Sequence, residues 1–180
     1  ATVSKSEETA LNPRFGVTYE ASDNVSVYAS YAEGFRPNSG ADASGNTFDP
    51  EESKSYELGM KISSMDGRLN TTIALFKMEK SNILTADPVN AGESAALGEA
   101  ESEGLEIDIT GELSDSVDMV FSYAYVDAGT STDLYNFDWA VNLPAGSELV
   151  NVPENSANLM LTKQFNINGA DASLGFTINY

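Results

Sequence analysis

Leu105-Glu-Ile-Asp-Ile-Thr-Gly-Glu-Leu-Ser-Asp-Ser-Val-Asp-Met-Val-Phe-Ser-Tyr-Ala-Tyr125 reads as two alternating runs about a turn. In the first run Leu105, Ile107 and Ile109 alternate with Glu106, Asp108 and Thr110. In the second Val117, Met119, Phe121, Tyr123 and Tyr125 alternate with Asp118, Val120, Ser122 and Ala124. Period 2 is the signature of a pleated strand with one apolar and one polar face. Leu113-Ser114-Asp115 between them is turn chemistry, since Asp and Ser side chains bond their own backbone. The pattern repeats in Phe15/Val17/Tyr19, Val25/Val27/Ala29/Tyr31, Tyr56/Leu58/Met60/Ile62 and Ala172/Leu174/Phe176/Ile178/Tyr180. Two further apolar-rich segments, about 69–80 and 157–165, read as strands of undecided facing; in the first, Lys77 and Glu79 share a parity with Ile73 and Leu75. Eight strands are predicted, at about 14–20, 25–33, 53–63, 69–80, 102–111, 117–126, 157–165 and 172–180, with no helix of any length.

Alternation alone fits a soluble β-sandwich or a membrane barrel. The connections separate them. Short turns at Ser22-Asp23-Asn24, Met65-Asp66-Gly67, Leu113-Ser114-Asp115 and Asn166–Gly169 alternate with long polar stretches at about 34–52, 82–101 and 127–155. Outer-membrane barrels carry short turns on one rim and long loops on the other, whereas long unstructured loops are uncommon in compact soluble domains. Twelve of the sixteen Tyr and Phe residues fall in the predicted strands, as barrel girdles require and as strand propensity alone would also give. The fold class expected is all-β: an antiparallel up-and-down transmembrane barrel segment.

Composition narrows function. The chain has 180 residues, 28 acidic against 9 basic, and a net charge of −19. Phosphate recognition uses Lys and Arg, so no nucleic-acid partner is expected. Without Cys or His there is no thiolate or imidazole metal site, no disulfide and no Ser–His–Asp or Cys–His nucleophile. No carboxylate pair stands out for acid–base work, so no enzyme and no cofactor are expected. Residues 81–162 contain no Lys or Arg and 15 acidic residues, which supply −15 of the charge. Hard cations such as Ca²⁺ or Mg²⁺ take carboxylate ligands, but none of these has EF-hand spacing, and a solvated outer surface explains them. A mean hydropathy of −0.24 suits a soluble protein, yet alternated apolar residues give the same value in a membrane wall. Ala1–Pro13 is polar and has no signal-peptide core.

Several segments resemble, in order, landmarks of TonB-dependent siderophore receptors. They are Asn12-Pro-Arg-Phe-Gly-Val-Thr-Tyr-Glu20, Val27-Tyr-Ala-Ser-Tyr-Ala-Glu-Gly-Phe-Arg-Pro37, Asp49-Pro-Glu-Glu-Ser-Lys-Ser-Tyr-Glu-Leu-Gly-Met-Lys61 and Ala74-Leu-Phe-Lys-Met-Glu-Lys-Ser-Asn-Ile-Leu84. Glu101-Ser-Glu-Gly-Leu-Glu-Ile-Asp108 with Gly111-Glu-Leu113, Ser122–Ala128 and Val152-Pro-Glu-Asn-Ser-Ala-Asn158 follow. The resemblance covers about residues 12–180. It implies a larger barrel of about 22 strands filled by a plug domain, of which this chain would be a piece from the second half, without plug or TonB-contacting region. A complete eight-stranded barrel is the competing architecture.

The resemblance further implies an outer-membrane receptor that takes up a ferric siderophore with energy from TonB, its partners being the siderophore, the plug, the remaining strands, TonB and outer-membrane lipid. Receptors for cobalamin or a carbohydrate, and a soluble β-sandwich adhesion or sugar-binding module, are the alternatives. Ligand contact in this family falls to loop and lumen aromatics and polar groups. Tyr135, Phe137 and Trp139, at i, i+2 and i+4, would share one face of an extended segment and form an aromatic strip. Phe48 is a further loop aromatic, and Arg36 is a candidate anion contact at a loop base, or the partner of a local ion pair. The acidic loops would repel a trianionic catecholate and admit a neutral or cationic hydroxamate complex.

Overall fold

A computed structural model describes residues 9–87, 89–90, 92–136 and 141–180, with the side chains of Tyr135, Asn136 and Val141 outside that description. Ten strands follow in chain order: β1 Arg14–Ser22, β2 Val25–Arg36, β3 Glu51–Ser64, β4 Leu69–Ala86, β5 Ser94–Ser114, β6 Val117–Thr130, β7 Leu134–Asn136, β8 Val141–Leu143, β9 Asn155–Ile167 and β10 Ala170–Asn179. Eight of them form one antiparallel sheet in the order β1-β2-β3-β4-β5-β6-β9-β10, and β7 pairs with β8 in a separate hairpin. Within the large sheet each strand pairs with the next one along the chain, an up-and-down meander in which β6 meets β9 across the β7–β8 hairpin.

β1 and β10 are the two ends of the sheet and do not pair with each other among the described residues. A closed eight-stranded barrel would join them, and a sandwich would stack two sheets. The chain forms one open wall instead.

Register settles the facing of every strand. Directly opposed residues share a face, and the row Ala29↔Leu58, Leu58↔Leu75, Leu75↔Leu105, Leu105↔Tyr125 is apolar from end to end. Leu159 pairs with Phe121 on one side and Ile178 on the other, so β9 presents Ala157, Leu159 and Leu161 to the same apolar face. Ten of the twelve strand aromatics counted in the sequence lie on that face, and only Tyr28 and Phe76 point the other way. Phe15, Tyr31 and Tyr56 form a contiguous aromatic group, with ring centroids 6.5 and 5.1 Å apart. Leu58, Leu75 and Phe176 are more than half exposed although central in their strands. Among the described residues nothing covers the apolar face.

β4 explains its own ambiguity. Lys77 opposes Tyr56 and Glu103, so the row of Phe15, Tyr31 and Tyr56 turns charged at β4 and β5. Strands of such sheets tilt, and residues in one hydrogen-bonded row then lie at different depths. Lys77 bonds Glu101 at 3.2 Å and Glu79 at 3.5 Å, a charged patch beyond the apolar band.

The turns are tight at one end. Asn168 and Gly169 both have positive φ (52° and 86°), the two-residue turn whose twist matches a hairpin. Met65, Asp66 and Gly67 are likewise left-handed between β3 and β4. At the other end the connections are shorter than expected from sequence. β4 and β5 continue pairing through Ala86↔Ser94, leaving only 87–93 where 82–101 reads as loop. A bulge at Asn82 (φ 56°) interrupts the ladder between Lys80 and Ile83 and resets the alternation. Within 127–155, β6 runs on to Thr130, and residues 145–149 fold back along it: the Thr130 amide bonds the Ser147 carbonyl and the Leu149 amide bonds the Ala128 carbonyl. Thr130 is buried there at 3% exposure.

Candidate functional site

Three strands bring their loop-side ends together on the polar face. Arg36 closes β2, Glu51 opens β3 directly opposite it, and Lys80 on β4 opposes Ser53. One Glu51 oxygen lies 2.8 Å from Arg36 Nη2 and the other 2.9 Å from Lys80 Nζ. The Glu51 side chain is only 9% exposed, against 72% for Arg36 and 43% for Lys80. Glu51 lies five residues before Tyr56, beyond the apolar band. The hydrogen-bonded Lys80 ammonium, helped by Arg36, holds its carboxyl below the ordinary range, while burial pushes the other way.

The connection above this cluster is tied down by two carboxamides. Asn82 Nδ2 donates to the Pro50 carbonyl at 2.9 Å. Asn38 Nδ2 donates to the carbonyls of Asp49 at 2.7 Å and Asn82 at 2.8 Å. Phe48, 7% exposed, packs against Gly40, where an added Cβ would come within 3.3 Å of its ring. Farther out, Asp42 accepts from the amides of Ser44 and Asn46 and from Asn46 Nδ2, which hold its carboxyl below the ordinary range.

The segments Phe35-Arg-Pro37, Asp49-Pro-Glu51 and Lys80-Ser-Asn82 are thus one assembly. Of the residues singled out in the sequence, the structure brings Arg36 and Phe48 to the base of the same connection. Arg36 is ion-paired and open to solvent; Phe48 is packed inward. Tyr135 lies in β7, its backbone opposite Asn142. Its side chain, together with Phe137 and Trp139, lies outside the described residues. Glu51, Lys80, Asn38 and Asn82 were not singled out. Only the shared parity of Phe76, Met78 and Lys80, which puts all three on the polar face, could have pointed to one of them.

Farther along the polar face, aromatic rings lie over glycines. Tyr28 opposes Gly59, and a Cβ at Gly59 would meet the ring at 2.3 Å. The Tyr28 hydroxyl donates to Glu57, and Lys61 Nζ sits 5.4 Å from the ring centroid. Phe76 covers Gly104 in the same way. These groups can bind and orient; none pairs a nucleophile with a base. Among the described residues no group of three or more Asp or Glu is placed to hold a metal ion.

Comparison with known proteins gives a consistent set. The metal-pseudopaline receptor CntO of Pseudomonas aeruginosa is 40% identical over 99% of this chain, which spans 24% of that protein. The ferrichrome outer membrane transporter/phage receptor of Escherichia coli K12 is 36% identical over 88% of this chain and 20% of its own length. Among solved structures, the siderophore receptor PiuA of Acinetobacter baumannii superposes with a TM-score of 0.70 at 28% identity, over 83% of this chain and 23% of that one. The chain thus spans a fifth to a quarter of the length of these two relatives. Residues 2–180 match the model of the TonB dependent receptor-like β-barrel, and the chain belongs to that family of outer-membrane receptors.

Proposed function

We propose that this chain is the wall and loop segment of a receptor that takes up a ferric siderophore by TonB-energised transport. The observation that carries the reading is the two-faced sheet: an uncovered apolar face for lipid, a polar face for a wet lumen, and every long connection on one rim. The named relatives, receptors for a metal–pseudopaline complex and a siderophore and a transporter of ferrichrome, support the ligand class. Capture would occur at the connections 37–50, 87–93 and 131–154. Arg36 and the strip of Tyr135, Phe137 and Trp139 would meet the ligand, and Phe48 would brace the connection beneath it. A plug domain and TonB, reached through other parts of the whole receptor, would complete transport.

The acidic loops favour a neutral or cationic hydroxamate complex over a trianionic catecholate. The test is uptake of radioactive iron by iron-starved cells that carry the whole receptor, with and without TonB, across a panel of ferric siderophores. TonB-dependent uptake of hydroxamate complexes is expected; preference for a trianionic catecholate would overturn the charge argument. The relative named for metal–pseudopaline favours a second reading, in which the chelated metal is not iron. Uptake of the same chelates loaded with zinc, nickel or cobalt separates the two.

A further inference from the structure

We propose that Arg36 and Lys80 form an anion subsite on the inner wall that takes one carboxylate of the incoming chelate, an inference that rests on the receptor reading above. A buried carboxylate is neutralised by one cation. Glu51 has two, so the cluster carries a net positive charge facing the lumen. Arg offers five N–H donors and Lys three. Among the described residues each gives a side-chain bond only to Glu51, and the Arg36 side chain is 72% exposed. Arg14, opposite Ala32, adds a third cation to the same face and makes no ion pair among the described residues.

The surroundings leave room for a ligand group. Gly34, Ser53 and Ala100 lie in the register row of Lys80, and Ala32, Ser55 and Ser102 in the next. All six are small and uncharged. The nearest carboxylate farther down that face, Glu57, already accepts from Tyr28. On the lumen face this level therefore carries the cationic groups of a chain whose net charge is −19, while Glu33, Glu79 and Glu101 of the adjoining row lie on the opposite face. A ligand that satisfies both fields has low overall charge and one projecting carboxylate.

The experiment titrates the purified whole receptor in detergent by intrinsic fluorescence. The probes are a ferric trihydroxamate bearing one free carboxylate and the same chelate as its primary amide. In the unaltered protein the acid should bind about tenfold tighter, roughly one charge-assisted hydrogen bond. The double substitution Arg36→Gln/Lys80→Gln should bring that ratio near one, with the larger loss of affinity falling on the acid. Glu51→Gln, which weakens the tie to the loop but keeps both cations, should preserve the preference for the acid.

Equal affinity for the two probes in the unaltered protein overturns the subsite and leaves the receptor reading standing. Loss of the preference in Glu51→Gln shows a loop strut only, and overturns the subsite too. Failure of both probes to saturate overturns the hydroxamate-receptor reading and the subsite with it.

Discussion

Gly59 and Gly104 show what a single hydrogen in place of a side chain does in this wall. Each lies under an aromatic ring of the neighbouring strand, Tyr28 and Phe76, so the ring can lie flat on the sheet. Gly59→Ala puts a methyl group into the Tyr28 ring and breaks the bond from its hydroxyl to Glu57. A loss of about 1–3 kcal/mol follows from overpacking of this kind. Gly175→Ala is the control, because a Cβ there meets nothing closer than 3.9 Å. Urea unfolding of the whole receptor in detergent, followed by gel mobility without boiling, should show a lower midpoint for the first variant and none for the second. Asp42 sets a pH dependence. Hydrogen bonds from Asn46 and neighbouring amides depress its folded pKa, so its contribution to loop order is complete above the unfolded value near 3.8. It is lost as pH falls through the lower folded value. Amide resonances of Ser44 and Asn46 should stay put between pH 7 and about 5 and move below about 4; Asp42→Ala should remove that step.

At the scale of the strand, facing is the claim most open to test. Leu75 points into the apolar band and Thr72, three residues away on β4, into the lumen. Leu75→Arg should cost about 2–4 kcal/mol, the penalty for arginine on the lipid face, whereas Thr72→Arg should be near neutral. Unfolding from lipid vesicles measures both, and a larger cost for Thr72→Arg than for Leu75→Arg would mean that the faces are reversed. The central strands were legible from sequence because lipid and water impose opposite demands on alternate residues there. Beyond the band that demand ends. β4 past Asn82 and β5 before Glu101 pair without strict alternation, so Ser94-Ala-Ala-Leu-Gly98 reads as loop although it is strand. The Arg36–Glu51–Lys80 cluster was hidden for another reason. Its members are 15 and 29 residues apart, and only the register of three strands brings them together.

The whole molecule is an unfinished surface. Every residue of β1 and nearly every residue of β10 is exposed, while β4 and β5, central in the sheet, hold the longest ladder. Eight wall strands were legible from sequence, whereas the β7–β8 hairpin lies in a stretch that reads as loop; closure could not be read, because it is a property of the first and last strands meeting. In lipid an unsatisfied backbone group costs several kcal/mol, so two open edges cannot both face hydrocarbon. The 180-residue chain expressed alone should therefore associate through its edges or stay unfolded rather than insert as a monomer. In detergent it should run as aggregates or as a band whose mobility does not change on boiling. Hydrogen exchange should be slow in β4 and β5 and fast in β1 and β10. The same segment within a whole receptor should protect all eight strands, because β1 and β10 then find partners. A compact, heat-modifiable monomer of the isolated chain with β1 and β10 protected would show that the two edges close on each other, and the wall would then be a barrel in its own right.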